Sequence, residues 1–548
     1  MSEVSFTDRL AVGVTLKIAG KEHKIPGGAV KRVELELEAY GFSGELEFVV
    51  QDDADHGGGF KDELRDGFLS QDPVDVRVAL KVVFDQAESA ETPEALVVAG
   101  LVTARSVIEL PGWRLPDRPL MVRRYRLTFA DPARALWTQH FPCRLHTHQT
   151  LADVIRAQVG EKIQVAFNWT ELEQERPLIF LHLPVERGAS FYDFIVWYAE
   201  TRGGLYTYDY TADSIDLRSE WSAEGQPRGL FGDDIAGVEI VVPPTPAHAV
   251  EVRNTYANGP RTEEVGQAHA MKGIRHDRLM HTSISQDVDD RVALEKLRLK
   301  LPKWEAELTF GRMPVIRLVP GARVRLAAAN RWNRTSALPG KTWRVRRVWL
   351  RAVAPDAPLD QDLQLASTAY TVSLRVRLVD GDDTRPCHPE VRRPAYPGHA
   401  EGKVVSEKGE ATDKTYQVYR NDESSLDEYT VEVPAWDKQK VTAPFVPYLG
   451  SGNVYVPAYR GERVLLALDL EHARIVRLLE WREGAALSMD VQGEHILLGK
   501  SAKSNTSINH VYEDDKPVLN VARTSDKDTG LIRISEGTLV LHVEEMKE

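Results

Sequence analysis

The sequence predicts a mainly β protein with a minor helical part, divided into several domains. Short segments in which apolar and polar residues alternate recur along the 548 residues, and three stretches carry the sequence pattern of a helix. A chain of this length favours three or four domains. Many short strands with few helices are typical of barrels and sandwiches.

Residues 1–145 are predicted to form the first β domain. Residues 32–39 (RVELELEA) alternate strictly between apolar and polar side chains, which is the pattern of a strand with one buried face. Turn-forming residues separate this run from the others, as at 52–59 (DDADHGGG). The strand-like runs are 10–19, 32–39, 74–83, 96–108 and 125–129.

Residues 146–220 are predicted to be a helical and mixed insertion. Thr150 is the expected N-cap of one helix. Ser190 is the expected N-cap of a second, with Asp193 as its acidic partner in an arrangement like a capping box. The apolar and aromatic residues of 191–198 repeat at helical spacing, and we expect them to be helix core.

Residues 221–390 are predicted to be a second β domain with one helix near 287–299. The basic stretch 291–303 is expected to be an exposed helical face, with a contact to an acidic baseplate surface as the alternative. Four prolines within 386–397 indicate a linker. Short strands in 391–484 then suffice for a small barrel.

The tail, residues 485–548, is polar and rich in turns, with brief β segments. So few large apolar residues cannot readily form a core within one chain. The tail is therefore either disordered or shares a core with copies of itself, and the alternation within 529–543 favours sharing. The β segments are 495–498, 518–521, 531–534 and 539–543.

Composition disfavours several classes of function. The net charge of −13 disfavours binding to nucleic acid, which depends on neutralising phosphates. No run approaches the roughly 18 apolar residues that a membrane span requires. No secretory signal is visible, so a chain that leaves its cell is expected to use another route. Cys143 and Cys387 are expected to be free thiols.

Four stretches, taken in order, resemble the VgrG family of type VI secretion spikes and related hub–spike proteins of contractile phage tails and extracellular injection systems. Each motif is short, and the resemblance depends on their order along almost the whole chain. The stretches are Tyr125-Arg126-Leu127 with Phe141-Pro142; residues 151–155 with 190–206 (SFYDFIVWYAETRGGLY); Arg385-Pro386 and Pro397-Gly398 leading into 402–405; and residues 456–468 (VPAYRGERVLLAL).

The resemblance implies a specific architecture and a set of partners. Two hub β-barrels per chain, with inserted helices, would form a pseudo-sixfold ring in a homotrimer and seat it on a hexameric inner-tube protein. Residues 391–484 would be a small OB-fold barrel, and residues 485–548 a C-terminal trimeric β-prism needle. Baseplate proteins, effectors and a transiently punctured target membrane are further implied partners.

The resemblance also places a PAAR-like tip protein on the end of the needle. The machine would be assembled in the cytoplasm, and the spike then ejected without a signal peptide. The implied function is a structural hub and membrane-puncturing spike that helps to deliver effectors, with the hub of a contractile phage tail as an alternative. The residues expected to contact the tip protein are Leu539, Val540, Leu541, His542 and Val543.

An enzyme needs a site, and no residue pattern supplies one. His140, Cys143, His146 and His148 are close in sequence, but their spacing fits no structural zinc pattern. The acids Asp52, Asp53 and Asp55 lack the further positions of a calcium loop. We therefore expect no catalytic residue, metal or cofactor. The remaining alternative is a β-barrel protein that acts on or binds carbohydrate, for which the 11 tryptophans are the sole support.

Overall fold

The computed structural model describes residues 4–53, 59–83, 92–111, 120–221, 225–300, 303–327, 332, 335–355, 362–405, 419–420, 427–445, 454–501 and 503–545. The prediction of a mainly β fold with minor α is confirmed. The helices are α1 (Arg65–Leu69), α2 (Pro132–Trp137), α3 (Leu151–Gln158), α4 (Phe191–Arg202) and α5 (Ser285–Arg298). Among the described residues, no helix is long and apolar enough to cross a membrane.

The described part of the first 380 residues contains 23 strands. They are β1 (Phe6–Ile18), β2 (Lys21–Ile25), β3 (Val30–Glu38), β4 (Gly41–Asp52), β5 (Val74–Val82), β6 (Leu96–Pro111), β7 (Met121–Ala130), β8 (Cys143–His146), β9 (Gln149–Thr150), β10 (Val165–Asn168), β11 (Glu175–Arg176), β12 (Ile179–His182), β13 (Leu205–Asp209), β14 (Ser214–Arg218), β15 (Arg228–Leu230), β16 (Ile235–Val241), β17 (Ala249–Asn254), β18 (Arg261–Val265), β19 (Arg275–Met280), β20 (Glu305–Phe310), β21 (Arg323–Leu326), β22 (Thr342–Val353) and β23 (Ser367–Asp380).

Eight of these strands form a closed ring of hydrogen-bonded neighbours. The order is β22-β3-β4-β7-β6-β5-β1-β23, and β23 pairs again with β22. Along β3, Val33, Leu35 and Leu37 are at most 3% exposed and face the interior of the ring. The sheet is therefore a barrel filled by its own side chains.

The ring does not end at residue 145, where the sequence placed a domain boundary. Two of its eight strands, β22 and β23, come from residues 342–380. The strands before residue 145 leave β1 and β3 as edges with unpaired backbone groups, and the distant hairpin pairs with both. The first barrel is thus completed by a segment that the sequence assigned to the second.

The same hairpin also holds the second group of strands. The early part of β22 pairs with β21, and the late part of β23 pairs with β20. With β15 on β21 and β16 on β20, these strands form an arc of six. In the described residues no pairing joins β15 to β16, so the second predicted barrel is an open arc that shares β22 and β23 with the first.

The helical insertion follows the predicted caps. The Thr150 side chain accepts a hydrogen bond from the Asp153 N–H at the start of α3. At α4, Ser190 and Asp193 form the complete capping box, and Gly203 ends the helix in the left-handed region with φ of 78°. The predicted apolar stripe of α4 is buried core. These predictions are confirmed.

Helix α5 packs on the three-stranded sheet β18-β17-β19 and holds a buried carboxylate. Glu295 is 2% exposed. Its Oε1 lies 3.3 Å from Arg278 Nε, 2.7 Å from Arg291 Nη2 and 3.5 Å from Arg298 Nη1. The basic stretch 291–303, expected to be an exposed face, therefore directs two of its arginines to this carboxylate. Residues 301–302 lie outside the described part of the chain.

The small barrel of residues 391–484 closes on itself. The ring runs β24-β26-β27-β29-β28 and back to β24, with a parallel bridge between Phe445, next to β27, and Ile475 of β29. Its core also contains Phe180 of β12, so the barrel packs against the helical insertion. The strands are β24 (Gly398–Val404), β25 (Tyr419–Arg420), β26 (Asp427–Val433), β27 (Gln439–Pro444), β28 (Arg463–Leu468) and β29 (Ala473–Leu478).

The tail is a single antiparallel sheet in which each strand pairs with the next along the chain. The sequence predicted four of its five strands and missed β31, whose residues are mainly polar. The strands are β30 (Gly493–Ser501), β31 (Ser504–Glu513), β32 (Lys516–Thr524), β33 (Asp528–Ser535) and β34 (Thr538–Glu545).

Asp131 connects β4 of the first barrel to helix α2. Its carboxylate is fully buried, caps α2 through the Arg134 N–H at 2.8 Å and accepts from the Phe42 N–H at 3.4 Å. Burial raises the pKa of this carboxyl to about 6, although the backbone donors oppose the shift. Between the unfolded value near 3.8 and about 6, the folded state therefore holds a proton that the unfolded state has lost.

This shift predicts a pH-dependent stability. In wild type, the contribution of Asp131 to the free energy of unfolding should fall as pH rises from about 4 to 6, by at most about 3 kcal/mol. Asp131→Asn, which keeps an N-cap side chain, should flatten that slope. Denaturant unfolding of both proteins at several pH values measures it. Equal slopes would contradict the raised pKa.

Candidate functional site: the apolar face of the C-terminal sheet

The C-terminal sheet has two faces of different chemistry. Because side chains alternate along a strand, residues paired across the sheet lie on the same side. The central row of one side is Ile496, Ile508, Val521, Ile532 and Leu541, each opposite the next on the neighbouring strand. A five-residue apolar row thus crosses the whole sheet.

Flanking rows extend this apolar side. Ile534 and Leu539 pair beside the central row, and Val543 lies opposite Gly530. We call this side the apolar face and define it by its apolar members. They are Ile496, Leu498, Ile508, Leu519, Val521, Ile532, Ile534, Leu539, Leu541 and Val543.

The opposite side, which we call the mixed face, carries more polar residues. In its middle, Asn509 pairs with Asn520, and Asn520 Nδ2 donates to Asn509 Oδ1 at 2.8 Å. Arg533 and Val540 continue that row. Val518, near the barrel end of this face, is 2% exposed. The two sides of the sheet are therefore not equivalent.

Tight hairpins fix which residues share a face. Asp514 and Asp515, with φ of 49° and 59°, form the two-residue turn between β31 and β32. Gly537, with φ of 68°, stands in the two-residue turn between β33 and β34. A shift of register by one residue would exchange the two faces, and these short turns oppose such a shift.

Within the described residues of one chain, the apolar face remains largely open to solvent. Ile532 is 43% exposed, Leu541 72% and Val543 80%. A contiguous apolar surface of this kind marks an interaction site. Full burial of each such side chain would contribute roughly 1.5–3 kcal/mol. The geometry therefore makes this face a surface for association.

The five residues expected to contact a tip protein all lie on β34, the last strand and one edge of the sheet. Leu539, Leu541 and Val543 are on the apolar face, whereas Val540 and His542 are on the mixed face. All five are exposed. Their contact with a partner stays a prediction.

The histidines weighed as zinc ligands have separate surroundings. His140 Nε2 lies 2.8 Å from Gln158 Oε1, and His148 Nδ1 lies 3.4 Å from Glu175 Oε1. Burial lowers the pKa of His146, which lies on β8 opposite Ile179 of β12. In the described part of the chain no three His, Cys, Asp or Glu side chains are arranged to hold a metal ion.

The acidic turn weighed as a calcium loop has structural contacts. Asp52 Oδ2 accepts from Arg123 Nη1 at 2.7 Å, and Asp53 Oδ1 accepts from the Phe60 N–H at 2.8 Å. Asp55 lies outside the described residues. Cys143 and Cys387 are free thiols, as expected.

Solved structures with the same fold exist, although no protein-family model and no curated protein sequence matches the chain. A chain of the lidded Francisella PdpA–VgrG complex has a TM-score of 0.72 and 14% identity, covering 100% of this chain and 81% of that one. A chain of the lidless PdpA–VgrG complex has a TM-score of 0.71 and 14% identity, covering 98% and 99%. This likeness shows the fold alone.

The two faces of the sheet lead to a test of association. Ile532→Asp with Leu541→Asp places carboxylates on the apolar face and should abolish self-association, because burying a charge costs more than apolar burial supplies. Leu531→Asp with Val540→Asp makes the same changes at adjacent positions of the mixed face. That control should associate as wild type does. Sedimentation measures both, and equal loss in the two variants would overturn the assignment of faces.

Proposed function

We propose that the protein is the structural hub and puncturing spike at the tip of the inner tube of a contractile injection machine. The observation that carries the proposal is the C-terminal sheet, whose apolar face stays open in one chain. The sheet continues from a barrel assembly whose fold resembles a chain of the PdpA–VgrG complex. The order of motifs along the sequence supports the same proposal.

In this proposal the functional unit is a homotrimer. Three C-terminal sheets turn their apolar faces toward a common axis and form a triangular prism, which is the needle. Each prism side then buries a row of Ile, Val and Leu side chains and leaves the mixed face, with its asparagines and Arg533, in water. Association supplies the core that one tail cannot form alone.

The barrels fit the role of a hub. The closed ring and the arc that share β22 and β23 give each chain two similar β units, so that three chains offer six positions to a hexameric tube protein. The ring of the small barrel contains five strands, which in chain order are β24, β26, β27, β28 and β29. They are neighbours in the order first, second, third, fifth and fourth, and this order supports an OB-type fold between hub and needle. The role is structural, with no catalytic step.

The remaining partners follow from the position of the spike. A conical PAAR-like tip protein caps the needle at Leu539–Val543 on β34. There the edge strands of the three chains would otherwise leave backbone groups unpaired. Baseplate proteins surround the hub, and effectors travel with the spike into a target cell. The assembled spike resides in the cytoplasm until ejection, which requires no signal peptide.

Mass in solution tests the assembly. The purified chain should behave as a particle of three times 61.5 kDa in light scattering at micromolar concentration. The trimer should persist at high salt, since its contacts are apolar. A stable monomer at that concentration would refute the proposed function.

Truncation tests the tip. Deleting residues 531–548 removes β34 and most of β33 and should leave the barrels folded while abolishing co-purification with the tip protein. The matched control is Glu544→Gln with Glu545→Gln, which neutralises exposed carboxylates and should keep the tip bound. A truncated chain that still binds its tip partner would place the tip site elsewhere.

A further inference from the structure

A cleft of about 850 Å³ lies in the hub, away from the needle. Its walls are the segment 243–246, the end of α5, the start of β22 and the segment 383–393 that leads to the small barrel. We call it the hub cleft. The volume falls within the range of known ligand sites.

Cations dominate the lining of the hub cleft. Seven arginine and lysine side chains and only three carboxylates line it. Two further carboxylates approach from behind the walls: Glu295 contacts Arg278 and Arg298, and Glu305 accepts from Arg346. A positive excess remains, although the whole chain carries a net charge of −13. The cleft is thus a local positive field in an acidic protein.

Two of these cations have only neutral hydrogen-bond partners among the described residues. Arg344, 5% exposed, donates to the Asp383 carbonyl at 2.8 Å and the Gly381 carbonyl at 2.7 Å, and stacks over Trp221 at 4.9 Å. Burial lowers its pKa. Lys300 Nζ donates to Thr384 Oγ1 at 2.9 Å. Arg344 is buried and Lys300 is exposed, and an anionic ligand would supply the charged acceptor that is missing from their hydrogen bonds.

One imidazole nitrogen in the lining of the cleft is an unpaired acceptor among the described residues. His388 Nε2 lies 3.1 Å from the Gly204 carbonyl, so that nitrogen carries the proton and Nδ1 is an acceptor. Nδ1 is buried, and no described residue forms a hydrogen bond with it. Phosphate and simple carboxylates supply mainly acceptors. A peptide supplies backbone N–H donors as well.

The rest of the lining is apolar. Pro243, Pro246, Leu294 and Leu297 contribute to the walls of the cleft. Cations, an unpaired acceptor and apolar walls together match a segment that alternates acidic and apolar side chains. A small inorganic anion would use the cations alone.

We propose that the hub cleft binds a short acidic peptide segment of a partner protein, with its carboxylates on the cleft cations and a backbone N–H on His388 Nδ1. All residues that line the cleft precede residue 394, so none belongs to the C-terminal sheet. The C-terminal ends of α4 and α5 lie at the same cleft and themselves favour nearby cations. A binding experiment separates these two explanations.

The experiment uses the full chain and a short dye-labelled peptide of alternating glutamate and leucine, followed by fluorescence anisotropy. Wild type should bind this peptide and not its glutamine counterpart. Lys300→Ala with Arg393→Ala should weaken binding roughly tenfold or more. Arg77→Ala with Lys81→Ala, exposed on β5 and equal in charge change, is the matched control and should change affinity less than about twofold.

Every other outcome of this experiment would contradict the proposal that the cleft binds an acidic peptide. No binding to wild type, or equal weakening in the two double variants, would mean that these cations only stabilise the C-terminal ends of α4 and α5 or contribute to the overall charge of the protein. Equal binding of the glutamine peptide would remove the role of charge. Complete displacement of the acidic peptide by millimolar inorganic phosphate would make the cleft a simple anion site.

Discussion

The pairing of strand edges is the constraint on which the rest of this structure depends. An exposed edge presents unpaired N–H and C=O groups, and each part of the chain meets that problem in its own way. The first barrel closes through β22 and β23, and the small barrel through the bridge between Phe445 and Ile475. Among the described residues, no strand closes the C-terminal sheet, and β30 and β34 are its edges.

The same constraint explains why the barrels and the C-terminal sheet differ in composition. A closed ring buries one side of every strand, so β3 can place valine and leucine inside and glutamate outside. A single sheet has no inside until copies assemble, and its apolar face must stay soluble before that. In the strands of the C-terminal sheet, asparagine, threonine and charged residues accordingly alternate with the apolar residues.

The sequence predicts local structure but not which distant strands pair. The capping box at Ser190 and the strict alternation of β3 depend only on residues that are neighbours in the sequence. Strand β4 escaped prediction because Gly41 and Gly44 interrupt its pattern, and β31 because its residues are mainly polar. The sharing of β22 and β23 depends on partners some 300 residues away, and the hub cleft joins four separate segments of the chain. Neither leaves a local signal.

The two surfaces differ in the force that acts on them, and that difference makes them separable. Apolar burial on the C-terminal sheet does not depend on screening, whereas attraction in the hub cleft weakens as the Debye length shortens. Raising the salt concentration should therefore release an acidic peptide and leave the needle associated. Under the proposed function, a partner held at the cleft can therefore be exchanged while apolar contacts keep the three chains together.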